Sequence, residues 1–160
     1  MCLNGIITGK KKKTFIDNIT KDGIKVYKIV GVEENKYYPP MKKTSQAYED
    51  GLNILKDENM ISINGWNIYY KAGFHFYTRK IDAQERLKKL KELLKIDPDI
   101  RFIMESRGKD FRQRYVIIEC IVKKSWINAY GYDDFFQKRP TIVAKKAIFP
   151  PFNNRHKVKG

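Results

Sequence analysis

Cysteine is almost missing from this chain, with only Cys2 and Cys120 among 160 residues. Two thiols separated by most of the sequence make no disulfide framework and no zinc-site spacing, so no cross-link or metal is expected to hold the fold. Acidic residues are also scarce, 18 Asp and Glu against 33 Lys and Arg. No apolar run approaches the roughly 18 residues of a spanning helix, which excludes that form of membrane insertion. Residues 1–9 lack the apolar segment of a signal peptide, and the Lys10–Lys13 block follows the apolar residues instead of preceding them. These absences read as a soluble, cytoplasmic protein. Glycine-rich phosphate loops, helix-turn-helix spacing, zinc fingers and RNP-type motifs are absent too, so no cofactor and no standard nucleic-acid module is indicated.

What the chain has in excess is positive charge, a net +15. Potential of one sign adds over a surface and draws anions, so an anionic partner is expected, either nucleic acid or a nucleotide. With 42% hydrophobic and 13% aromatic residues, the chain lies well outside the composition of disordered proteins. Its length suits one domain, read as residues 1–152 followed by a basic, flexible tail over 153–160.

Ile24–Val30 alternates apolar and polar residues between Asp22-Gly23 and Gly31, the pattern of a half-buried strand. Glu33–Lys43 contains Tyr37-Tyr38-Pro39-Pro40 and reads as a loop, and Ser45–Leu55 as a short helix or irregular crossing. Short strands are expected at Trp66–Tyr70, after Asn64-Gly65, and at Phe74–Tyr77. Ala83, Leu87, Leu90 and Leu94 then recur at helical spacing, and Asp97-Pro98 ends that helix. Gln113–Lys123 is dense in β-branched residues and reads as a central strand. Ala129–Tyr132 looks like a turn, and Thr141–Phe149 like one last strand. The expected architecture is α+β, a mainly antiparallel sheet of about five strands with one principal amphipathic helix.

Two basic clusters are candidate phosphate contacts. Lys10, Lys11, Lys12 and Lys13 form a run of ammonium groups that gains affinity by releasing condensed counterions, or simply a solvated surface segment. Arg107, Lys109, Arg112 and Arg114 lie between the helix and the central strand, where Arg offers the planar fork that phosphate accepts. Tyr69 and Tyr70 are candidate stacking partners for bases, although strand aromatics more often fill a core. Catalytic candidates are His75, Tyr77 and Glu119 as a set, or Cys2 as a nucleophile exposed by loss of Met1, against structural roles for each.

Met1-Cys2-Leu3, Val26-Tyr27-Lys28, Gly73-Phe74-His75 followed by Thr78 and Asp82-Ala83, and Ile142-Val143-Ala144 together resemble a set of small phage and bacterial mobile-element proteins. Those proteins open with Met-Cys-Leu, carry a Tyr-Lys strand and place a Gly-(Phe/Tyr)-His segment before an Asp-Ala helix. The resemblance implies a phage or mobile-element origin but no particular reaction. Gly73–Arg86 is also similar to the strand-to-helix segment of ADP-ribosyltransferase-like folds, which implies Tyr77 or Thr78 facing a nicotinamide cofactor and a glutamate such as Glu119 on a later strand. Three functions remain open: a binding protein for a phosphate-bearing ligand, an enzyme of that fold or with an N-terminal cysteine nucleophile, and an inhibitor of an acidic host protein.

Overall fold

A computed structural model describes residues 3–40, 46–56, 60–63, 66–96, 98–99, 102, 114–133 and 136–156. In chain order its elements are β1 (Gly5–Ile6), α1 (Gly9–Asp17), β2 (Ile24–Glu33), β3 (Lys36–Tyr38), β4 (Gly51–Ile54), β5 (Met60–Ile63) and β6 (Trp66–Lys71). There follow β7 (Phe74–Tyr77), α2 (Lys80–Ile96), β8 (Arg114–Val122), a 3₁₀ turn at Lys124–Trp126, β9 (Ile127–Tyr132), β10 (Pro140–Ala144), β11 (Lys146–Phe149) and a 3₁₀ turn at Asn154–His156. Eight of the strands run side by side in the order β1-β9-β10-β7-β2-β8-β11-β4, with β3 hairpinned onto β2, and β5 and β6 form a separate ribbon. Every strand pairing among the described residues is antiparallel.

The path from β10 through β7, β2 and β8 to β11 returns to its own stretch of chain, because only Lys145 separates β10 from β11. A register shift at Val143/Ala144 marks the bend that lets one continuous segment serve both ends. The wall therefore curls around a single core built from Val26, Val30, Phe76, Ile118, Cys120, Val122, Ile142, Ala147 and Phe149. On the outer face, Ala83 and Leu90 of α2 pack with Leu87 against Ile29, Tyr77 and Tyr115. The i, i+4, i+7 spacing of these α2 residues is what fits one helical stripe to a sheet.

The fold is broadly α+β, but the expectation of about five strands and one principal helix is overturned: the sheet has nine strands, with a further two in the ribbon and two α-helices among the described residues. Lys10–Lys13 lies in α1, and Ala129–Tyr132 belongs to β9. In β9 the small Ala129 and Gly131 are buried and alternate with partly exposed tyrosines, a strand period carried by residue size and not by polarity. In β4 the pattern is inverted, with Leu52 and Ile54 exposed and Asn53 buried. Asn53 is held there by hydrogen bonds to the backbone of Glu49 and Gly51. The final strand breaks in two at Lys145, whose N–H instead donates to the Trp126 carbonyl at 2.9 Å.

Candidate nucleic-acid interface

The four lysines of α1 occupy successive helical positions, so they fan around the helix; Lys10, Lys11 and Lys13 are exposed and Lys12 is half-buried. Phe15, two residues later, anchors the helix by stacking on Tyr130 of β9, with ring centroids 4.2 Å apart and planes 12° from parallel. Asp17 closes the helix and pairs with Lys124 at 3.3 Å, which sets α1 beside the turn between β8 and β9. That turn, Lys123-Lys124-Ser125-Trp126, has Lys123 Nζ 5.6 Å from the centre of the Trp126 ring. Trp126 is half-buried, one part packed on the core of the curled sheet. Two lysine-bearing segments far apart in sequence, α1 and the Lys123–Trp126 turn, thus meet at the Asp17–Lys124 pair. Sequence reasoning named the α1 lysines but missed Lys123, Lys124 and Trp126. The signal was the Lys-Lys-Ser-Trp string directly after the β-branched run.

Of the second basic cluster, Arg107, Lys109 and Arg112 lie outside the described residues. Arg114 starts β8, is exposed and donates from Nη1 to the Arg155 carbonyl at 3.3 Å. It thereby meets the C-terminal segment, where Tyr37 Oη accepts from the Asn153 N–H at 3.1 Å and lies 2.8 Å from His156 Nδ1. Burial and the nearby Arg114 both hold the His156 pKa below its ordinary value. Asn153–His156 is thus docked on Tyr37, a buried ring of the core.

Tyr70 is buried at 3% exposure, so a base has no access to stack on it. Its hydroxyl accepts from the Leu3 N–H and lies 3.1 Å from His75 Nε2. The side chain of Tyr69 and all of Cys2 lie outside the described residues. His75 Nδ1 reaches the Gly73 carbonyl at 3.0 Å, and a Cβ on Gly73 would fall 2.6 Å from the Ala144 carbonyl oxygen. The Gly-Phe-His string therefore has a structural meaning: glycine for the close approach, phenylalanine for the core and histidine to position the Tyr70 hydroxyl that accepts from the Leu3 N–H.

Tyr77 and Glu119 stand opposite Tyr27 from the strands on either side of it. Their polar atoms are nevertheless engaged apart. Glu119 pairs with Lys25 at 3.2 Å on the exposed face. Tyr77 donates to Asp133 Oδ2 at 2.6 Å in a buried charge cluster where Arg139 Nη1 lies 3.8 Å from the same oxygen and Arg139 Nε lies 3.8 Å from Glu85. Burial, then the bond to Asp133, drives the Tyr77 pKa upward. His75, Tyr77 and Glu119 do not form a converging acid–base set, since each is committed to a different partner. Lys28 is a further buried cation, donating to the His75 carbonyl at 3.0 Å with the Phe76 ring 5.3 Å away. Among the described residues no three His, Cys, Asp or Glu side chains cluster as metal ligands, and no helix is long and apolar enough to cross a membrane. No family model, curated protein or solved structure matches this chain.

Proposed function

We propose that this protein is a nucleic-acid-binding module whose contact surface is α1 together with the Lys123–Trp126 turn. The carrying observation is the Asp17–Lys124 pair, which joins the C-terminal end of the lysine-bearing helix α1 to the turn that carries Lys123 and Trp126. An open surface with cations spread over two segments suits a polyanionic backbone, because each phosphate needs only a nearby charge and no enclosing pocket. Trp126, half-buried, adds an aromatic ring on which an unpaired base can stack, which favours single strands over duplex. A mononucleotide would engage only a fraction of these lysines and bind correspondingly less.

The test is fluorescence anisotropy with labelled single-stranded DNA, single-stranded RNA and duplex DNA across a salt series, with mononucleotides as competitors. Changing Lys10, Lys11, Lys13, Lys123 and Lys124 together to Ala is expected to abolish tight binding at low salt. If each lysine meets one phosphate, the slope of log affinity against log salt becomes shallower by about 3.5, at ~0.7 per contact for single strands. No binding at low salt, or an unchanged slope in the five-fold variant, overturns the assignment. Nuclease-resistant capture of an acidic protein by the same surface would replace it with the inhibitor reading.

A further inference from the structure

β4 ends the sheet path, and among the described residues nothing pairs with its outer edge. Edge strands are usually blunted by charge or proline, because their open N–H and C=O groups invite another strand. Gly51–Ile54 contains neither, and it turns Leu52 and Ile54 outward at 49% and 53% exposure. Leu52 stands opposite Ile148, which stands opposite Ile121, so an apolar row runs across three strands to the edge. The Leu55 N–H donates to the Lys145 carbonyl at 2.9 Å. Alternation along an antiparallel ladder then directs the N–H and C=O groups of Leu52 and Ile54 away from β11, toward the open side.

We propose that β4 is a homodimer edge, two copies of the chain pairing antiparallel across a two-fold axis at Asn53. In that register Leu52 of each copy faces Ile54 of the other, and these are the residues with outward backbone groups, so each such pair exchanges both hydrogen bonds. Gly51 faces Leu55. Three positions out from the axis, the exposed Asp50 meets the exposed Lys56, so both ends of the joint close with opposite charges. The sequence of this short segment is complementary to its own reverse in polarity and in sign. Self-association of a chain with net charge +15 is opposed by long-range repulsion, and this segment carries Glu49 and Asp50 against Lys56. Those same carboxylates disfavour an acidic partner at this edge and select a second copy.

Sedimentation velocity over a concentration series tests the proposal. The expected result is a monomer–dimer equilibrium of micromolar or weaker affinity, as suits a short ladder. Ile54→Pro removes one outward N–H while leaving the ladder to β11 intact, as edge prolines do, and is expected to give a monomer. Asp50→Lys alone and Lys56→Asp alone each turn two attractions into repulsions and weaken the dimer about tenfold, whereas the two together restore it. Because both are exposed, this set decides the matter even if the proline variant fails to fold. A wild-type chain that stays monomeric to its solubility limit overturns the proposal. So does a dimer indifferent to the single reversals, or single losses that the double reversal does not recover.

Discussion

Replacing Asp133 by Ala should be strongly destabilising. The Asp133 and Arg139 side chains are 4% and 2% exposed, so water does little to compensate a lost partner. The substitution takes the acceptor from the Tyr77 hydroxyl, 2.6 Å away, and removes a carboxylate facing the Arg139 guanidinium. Breaking a buried charge pair from one side costs about 3–5 kcal/mol. Tyr77→Phe removes only the hydroxyl and loses a hydrogen bond to a charged group, about 1.5–3 kcal/mol. Against a total stability of about 5–15 kcal/mol for a domain, the first substitution alone brings the fold close to its limit.

Urea unfolding of wild type, both single variants and the double variant closes a cycle on the pair. The two costs should fall short of additivity by about 1–2 kcal/mol, because Tyr77→Phe has little left to remove once Asp133 is gone. Unchanged m-values would show that the denatured state is the same throughout. An Asp133→Ala cost below about 1 kcal/mol, or strict additivity, would refute the account of this cluster as a desolvated, mutually dependent unit.

Burial pushes the Cys120 thiol up to about 12, an effect Lys28 only partly offsets, so iodoacetamide at pH 8 should label it at the rate of global unfolding. Fast native labelling followed by mass spectrometry of the Cys120 peptide would contradict this. His156 has its pKa depressed below the ordinary 6.5, so docking of Asn153–His156 is fully stabilised above that value and weakens as pH falls through the lowered pKa. Hydrogen exchange of the Asn153 amide should accelerate with acidification beyond its intrinsic pH dependence, and His156→Ala should erase that excess.

Long apolar periodicities were legible from sequence because one physical signal dominates them. Helix α2, strand β2 and strand β8, which contains Cys120, all lie near the bounds read from sequence. The extra strands were hidden where the signal is divided. In β9 it lies in residue size, in β4 the exposed and buried faces are exchanged, and at Lys145 a single residue splits one β-rich run between two ends of a closed wall. Lys28 shows the same limit within a strand that was read well. It shares the inner face with Val26 and Val30, where alternation predicts an apolar residue, and is tolerated because a carbonyl and two aromatic rings receive its ammonium. The candidate interface was half legible, since the α1 lysines form a visible run. The turn that completes it is about 110 residues further on in the sequence and meets α1 only through the antiparallel closure of the sheet.

The physics of α1 ties that interface to the fold. Its first turn carries lysines where the helix dipole is already positive, has no acidic residue there, and starts at Thr8 without a side-chain cap. Each such lysine opposes the helix by about 0.3–1 kcal/mol at low salt, and Lys10 and Lys13 repel across one turn. No α1 residue is fully buried, so the opposing force is the stack of Phe15 on Tyr130, helped by the Asp17–Lys124 pair. A helix assembled this way is held by its distal end and pushed apart at its start. Phosphates placed against the lysines, as the proposed function requires, cancel the repulsion at the start and leave the aromatic anchor unchanged, so nucleic-acid binding and the folding of α1 favour each other.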